Sequence, residues 1–197
     1  MNEARQDVSA ADLLDPLERL AVAYAPATMR PAWTGFLALD RRLAYAARAG
    51  RDPIMIQLRL AWWGDRFDAP AENWPAGEPL LATLRCWEGE CPALRGLVDG
   101  WEARNVGDDG GAELGKARIA AVAALARLSG IADDAEVRRA AAEWLGEMPV
   151  SGPTPRLPRA MRPLAILRGM ALREDAGKAG SPWRDLMAAM RLGMIGR

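Results

Sequence analysis

Histidine is absent from the chain, and with it go the commonest general base at neutral pH, most catalytic triads and most transition-metal sites. Cysteine is nearly absent. Cys86 and Cys91 are the only two, and two thiols without histidine cannot close a structural zinc site. No signal sequence is read at the N-terminus, so both are expected as reduced thiols of a cytoplasmic protein. A run of ~18 apolar residues is missing too, which excludes a membrane-spanning helix from the reading. Net charge is lacking as well: 26 basic side chains balance 26 acidic ones, without the basic excess of a nucleic-acid binder. Lysine supplies only Lys116 and Lys178, so the positive charge is almost all arginine, the side chain suited to bidentate contact with phosphate or carboxylate.

Valine, isoleucine and threonine are sparse and alanine is abundant, which favours helix over sheet. With half of its 197 residues hydrophobic, the chain is expected to fold as a single all-α domain over 1–197, residues 1–10 forming a disordered tail. Asp15-Pro16 opens a helix to about Ala25, with Glu18 in its first turn. Pro31 opens a second, ending near Gly50, and Asp52-Pro53 a third, to about Phe67. That third helix has Ile54, Leu58 and Ala61 on one side and Ile56, Leu60, Trp63 and Phe67 on another, which predicts a central helix buried from two directions. Residues 68–78 read as a loop. Pro79 starts a helix with Leu80, Leu84, Trp87 and Cys91 on one stripe, and Pro92 starts another. The run from Leu114 to Leu128 predicts a helix closed by Gly130. Asp133 with Glu136 has the form of a capping box for a helix to Met148. Beyond the irregular residues 149–158, helices are expected at about Arg159–Glu174 and Ser181–Met194.

Residues 24–69, containing Tyr24-Ala25-Pro26-Ala27, Ala38-Leu39-Asp40 and Gln57-Leu58-Arg59-Leu60 before Trp62-Trp63, form one distinctive stretch. Val98-Asp99-Gly100-Trp101-Glu102 is a second, and residues 156–174 with the closing Leu192-Gly193-Met194-Ile195-Gly196-Arg197 a third. Together they resemble the squalene/phytoene synthase family, particularly its short bacterial members and the related complex I assembly factor branch. The resemblance implies an isoprenoid-synthase-like helical bundle around a central cavity. Active members join two prenyl diphosphates head to head, holding Mg²⁺ on two facing DxxxD motifs. Carboxylates four apart share a helical face, and hard oxygen ligands suit Mg²⁺ bridging to phosphate.

The chain departs from that pattern at its metal motifs. Asp40 is the single aspartate of its helix, with Ala44 four residues on and then Arg48; Arg104 stands where active members place an aspartate. Glu143 and Glu147 are the only helical carboxylate pair offered for the second motif. The resemblance therefore implies a catalytically degenerate protein without cofactor, a binding or assembly factor near the membrane or for a prenyl or other hydrophobic ligand, with a protein partner also open. Two alternatives stand beside it. One is an active head-to-head prenyl transferase with an altered Mg²⁺ site; the other is a plain helical interaction module.

Each candidate residue carries two readings. Arg41, Gln57, Arg59, Trp62 and Trp63 line a ligand cavity, or else the tryptophans anchor the core and Arg59 neutralises a carboxylate inside the bundle. Asp40-Arg41-Arg42 is a remnant of a metal and phosphate site, or a solvated face; the same choice holds for Glu143 and Glu147. In residues 181–197, Trp183, Leu186, Met187, Met190 and Met194 lie against Arg184, Arg191 and Arg197, with Asp185 the sole acid. Such a face suits peripheral contact with the inner face of a membrane, or packing onto its own domain.

Overall fold

Proline stands in the first turn of most described helices, so these begin close to where the sequence places them. The computed structural model describes residues 9–48, 50–107, 111–132, 134–177 and 182–195. In order they form α1 (Pro16–Ala23), α2 (Arg30–Ala46), α3 (Pro53–Asp68), α4 (Pro79–Leu84), α5 (Cys91–Val106), α6 (Ala112–Leu128), α7 (Ala135–Trp144), α8 (Arg162–Asp175) and α9 (Pro182–Ile195). Short 3-10 turns cover Ala10–Leu13, Ala71–Asn73, Arg85–Glu90 and Arg159–Met161. Among the described residues there is no strand, so the architecture is all-α.

The caps show why. Asp15 accepts from the Glu18 amide while Glu18 reaches back to the Asp15 amide, a reciprocal capping box with Pro16 at the first helical position. Asp52 accepts from the Ile54 amide at 2.8 Å. At the other end of α6, Gly130 takes φ 84°, and the amides of Gly130 and Ile131 bond back to Arg127 and Ala126, the paired closure that a left-handed glycine permits. The box expected from Asp133 lies outside the described residues. So do residues 1–8, while Ser9 and Ala10 belong to an ordered capped turn rather than to the expected tail.

Three expectations of helix extent are corrected, the first being α2, which ends at Ala46 instead of near Gly50. The stripe from Leu80 to Cys91 is not one helix: α4 stops at Leu84 and tightens into the 3-10 turn Arg85–Glu90. Its Leu80, Leu84 and Trp87 still reach the core, because each is at most 1% exposed. The helix expected to reach Met148 ends at Trp144, where Gly146 turns at φ 72°.

The central helix is α6, not α3. Ala121 through Ala126 are buried on every side, which only a helix surrounded by others achieves. Their small side chains let α5 and α7 approach closely, and α5 packs against α6 more extensively than any other pair. Gly100 makes that approach possible: a methyl group there would lie 2.9 Å from Leu114 Cα. Helix α3 packs on the other side of α5, and α2 packs on α4. Helices α7, α8 and α9 continue the bundle, with α1 returning onto α8. Indole groups tie the layers: Trp33 Nε1 donates to the Ala160 carbonyl (2.9 Å) and Trp87 Nε1 to the Ala32 carbonyl (3.1 Å). Each satisfies a polar atom inside the apolar core.

Candidate functional site

Positions i, i+3 and i+4 share a helical face, and two such sets meet between α2 and α3. Arg42, Tyr45 and Ala46 from α2 face Arg59, Trp62 and Trp63 from α3 across a surface cleft of about 280 Å³. Glu78, the N-cap of α4, closes one side; it accepts from Arg42 (3.2 Å) and from the Leu80 amide (3.3 Å). The cleft is just below the range of about 300–1,000 Å³ usual for small-molecule sites, which suits a compact ligand or the head of a larger one.

The tryptophan pair divides its work. Trp63 is 5% exposed and stacks on Phe67, which in turn meets Trp74 edge-on, so it is a core anchor. Trp62 is 37% exposed and stands edge-to-face on Trp63 at 5.0 Å, with the Arg66 guanidinium 5.6 Å from its ring centre. Arg59 is exposed and has no ion-pair or hydrogen-bond partner among the described residues. It therefore does not neutralise a buried carboxylate; its charge is left for the cleft and solvent.

The remaining candidates are elsewhere. Gln57 is exposed on α3 and does not line the cleft. Arg41 points the other way around α2, donating to Glu18 and Asp15 and so clamping the α1 capping box. The hydrogen bond to Glu18, with the charges of both acids, raises the Arg41 pKa despite partial burial. Arg41 also borders a neighbouring cleft of about 530 Å³ with Leu13 and Ala44.

Asp40 is not a free carboxylate on a solvated face. It accepts from Trp101 Nε1 (2.8 Å) and from Arg118, whose Nη2 lies 2.9 Å away and whose guanidinium sits over the Trp101 ring. Glu143 is likewise not solvated: it is 2% exposed and paired with Arg168 of α8. Glu147 lies beyond the end of α7, exposed, with its carboxylate over Gly115 of α6. Asp40 and Glu143 are each committed to an arginine of another helix, while Glu147 is exposed. Among the described residues no three acids or cysteines gather as a cation site. These residues do not fit the paired Mg²⁺ motifs that the resemblance implies, since ligand oxygens must converge on one ion.

The C-terminal face resolves into two halves. Ala189, Leu192 and Gly193 of α9 are buried, Leu192 against Gly169 of α8 and Gly193 against Tyr24. Trp183, Met187, Met190 and Met194 point outward together, with Trp183 74% exposed. Asp185 pairs with Arg173 of α8 (3.1 Å); Arg197 lies outside the described residues. No described helix is long and apolar enough to cross a membrane.

Tyr45 and Glu78 are cleft residues that the sequence reading does not single out. The spacing of Arg42, Tyr45 and Ala46 matches that of Arg59, Trp62 and Trp63, but no local signal says that the two faces oppose each other. Compared with known proteins, the chain matches no family model, no curated protein and no solved structure.

Proposed function

We propose that this chain is a non-catalytic, squalene/phytoene synthase-like helical protein that binds an amphiphile with an anionic head, of prenyl phosphate type, in the cleft between α2 and α3. The observation that carries it is Arg59, an arginine without a carboxylate, beside Trp62 and Trp63. An anionic head placed there gains charge-assisted hydrogen bonds, and its hydrocarbon lies against indole. Asp40 and Glu143 take no part, because each is already paired with an arginine of another helix, and Glu147 lies outside the cleft. The bundle is read as isoprenoid-synthase-like on the sequence resemblance, with the ligand in a surface cleft rather than at the bundle centre. Binding, or assembly of a partner around the bound ligand, is then the role.

Thermal unfolding with farnesyl phosphate or farnesyl diphosphate tests this reading. Ligand at about 100 times its dissociation constant adds roughly 2.7 kcal/mol. The melting temperature is expected to rise equally with and without Mg²⁺, and the rise to shrink in Arg59→Gln. A rise that requires Mg²⁺, with formation of a joined prenyl product, would establish the prenyl transferase alternative instead. No rise under either condition rejects the ligand.

A second reading is favoured by the outward face of α9. Trp183, Met187, Met190 and Met194 with Arg184 and Arg191 suit peripheral attachment to a membrane or docking on a partner protein.

A further inference from the structure

Helix α3 has two apolar stripes on opposite faces. Ile56, Leu60, Trp63 and Phe67 are all at most 5% exposed. Half a turn away, Ile54 is 67% exposed, Leu58 60% and Met55 47%, and the stripe continues through Ala61 to Trp62. An amphipathic helix covering a core has no need of the second stripe, whose exposure to water is unfavourable and would be relieved by burial. Contiguous exposed apolar surface of this kind marks a docking face.

The surroundings say what docks. At the N-terminal end of α3, Arg48 and Arg51 lie over the Tyr45 ring, at 4.2 Å and 4.8 Å from its centre. Neither pairs with a carboxylate among the described residues, unlike Arg41, Arg42, Arg95, Arg118, Arg127 and Arg168. Arg59 adds a third unpaired charge on α3 itself. Three acids border this surface: Asp52 caps the helix, Glu78 is paired with Arg42, and Asp65 falls at the far end of the stripe, where it limits how much can be covered. Tyr45, itself 52% exposed, and Trp62 flank the aliphatic residues. Aliphatic side chains at the tip, aromatic rings beside them and unpaired guanidinium groups around them match the layering of an anionic lipid leaflet from acyl chain to phosphate.

We propose that the α2–α3 end of the bundle is a docking surface for anionic lipid bilayers, with Ile54 and Leu58 entering the acyl boundary and Arg48 and Arg51 meeting lipid phosphates. These four residues lie outside the cleft, although Tyr45, Arg59 and Trp62 border both it and the docking surface.

Co-sedimentation of the full chain with phosphatidylcholine vesicles, with and without phosphatidylglycerol, tests it. Binding is expected only with phosphatidylglycerol and is expected to weaken with salt, because attraction to the surface is screened within ~8 Å at physiological ionic strength. Arg48→Gln and Arg51→Gln should each weaken binding about fivefold, the effect of one cation near such a surface. Leu58→Asp should abolish it. Arg48 and Leu58 are exposed and Arg51 is half-buried, and unchanged circular dichroism and melting temperature will show that the fold is intact. Met187→Ser with Met190→Ser on α9 should leave most binding in place. Binding that survives Leu58→Asp but is lost in the α9 variant overturns the proposal. So does a parent protein that ignores phosphatidylglycerol, or sedimentation velocity showing a dimer that Leu58→Asp dissociates, which would assign the stripe to a second copy.

Discussion

Asp40 on α2 and Arg118 on α6 are 78 residues apart in sequence, yet their side chains meet at 2.9 Å, where Asp40 also accepts from the indole N–H of Trp101 on α5. Three helices are joined through one carboxylate. Removing it in Asp40→Ala leaves the Trp101 N–H and the Arg118 guanidinium short of an acceptor. A loss of about 1–3 kcal/mol is expected, read as a lower urea midpoint at constant slope. If Asp40 were instead a metal ligand in waiting, Asp40→Ala would change the response to Mg²⁺ and not the stability of the protein alone.

Trp62 and Trp63 are adjacent in sequence and opposite in environment. Trp63→Ala empties a site against Phe67 and is expected to cost about 3–5 kcal/mol. Trp62→Ala loses an edge-to-face contact and partial cover, about 0.5–1.5 kcal/mol. Two melting curves separate them; equal losses would show that α3 is buried on both sides after all.

Glu143 and Arg168 form an ion pair with the Glu143 side chain fully buried. Arg168→Met removes its close partner and leaves only Arg139, whose Nη1 lies 3.9 Å from Oε1, so it is expected to destabilise by about 3 kcal/mol, the low end for a broken buried pair. Replacing both, as Glu143→Leu with Arg168→Met, should recover most of the loss, because the desolvation of two charges disappears together with their attraction. A double variant as unstable as the single one would mean that the pair itself, rather than the stranded charge, sets the stability.

Cys86 lies at the surface, yet partial desolvation of its thiol by neighbouring atoms raises the pKa, partly offset by a backbone hydrogen bond. Burial also raises that of Cys91, and the charge of Glu88 adds to it. A raised pKa means less thiolate at any given pH, and thiolate is the reactive form. Alkylation by iodoacetamide should therefore be slower at neutral pH in the folded protein than in urea. Its rate should go on climbing with pH past the point where a free thiol levels off. A folded-state profile overlying the denatured one would contradict this.

Most of the secondary structure was legible in the sequence because its signals are local. Asp15-Pro16, Asp52-Pro53 and Gly130 act through their own backbone and the next few residues, so they mark helix ends wherever the helix comes to lie. All-α content follows from the same kind of evidence, since alanine and a scarcity of β-branched residues act residue by residue.

Only the tertiary structure decided which apolar face is inside. Periodicity finds both stripes of α3 equally well, and burial of one requires knowing that α3 packs on α5 with Trp63 inside and Leu58 bare. In the same way, Ala121–Ala126 has no amphipathic stripe to read, and it is central because close neighbours surround it. Charges follow the same division. The sequence supplies Asp40, Glu143 and Arg59, but pairing is a matter of what long-range packing brings within a few ångströms. Asp40 received Arg118, Glu143 received Arg168, and Arg59 received no acid among the described residues.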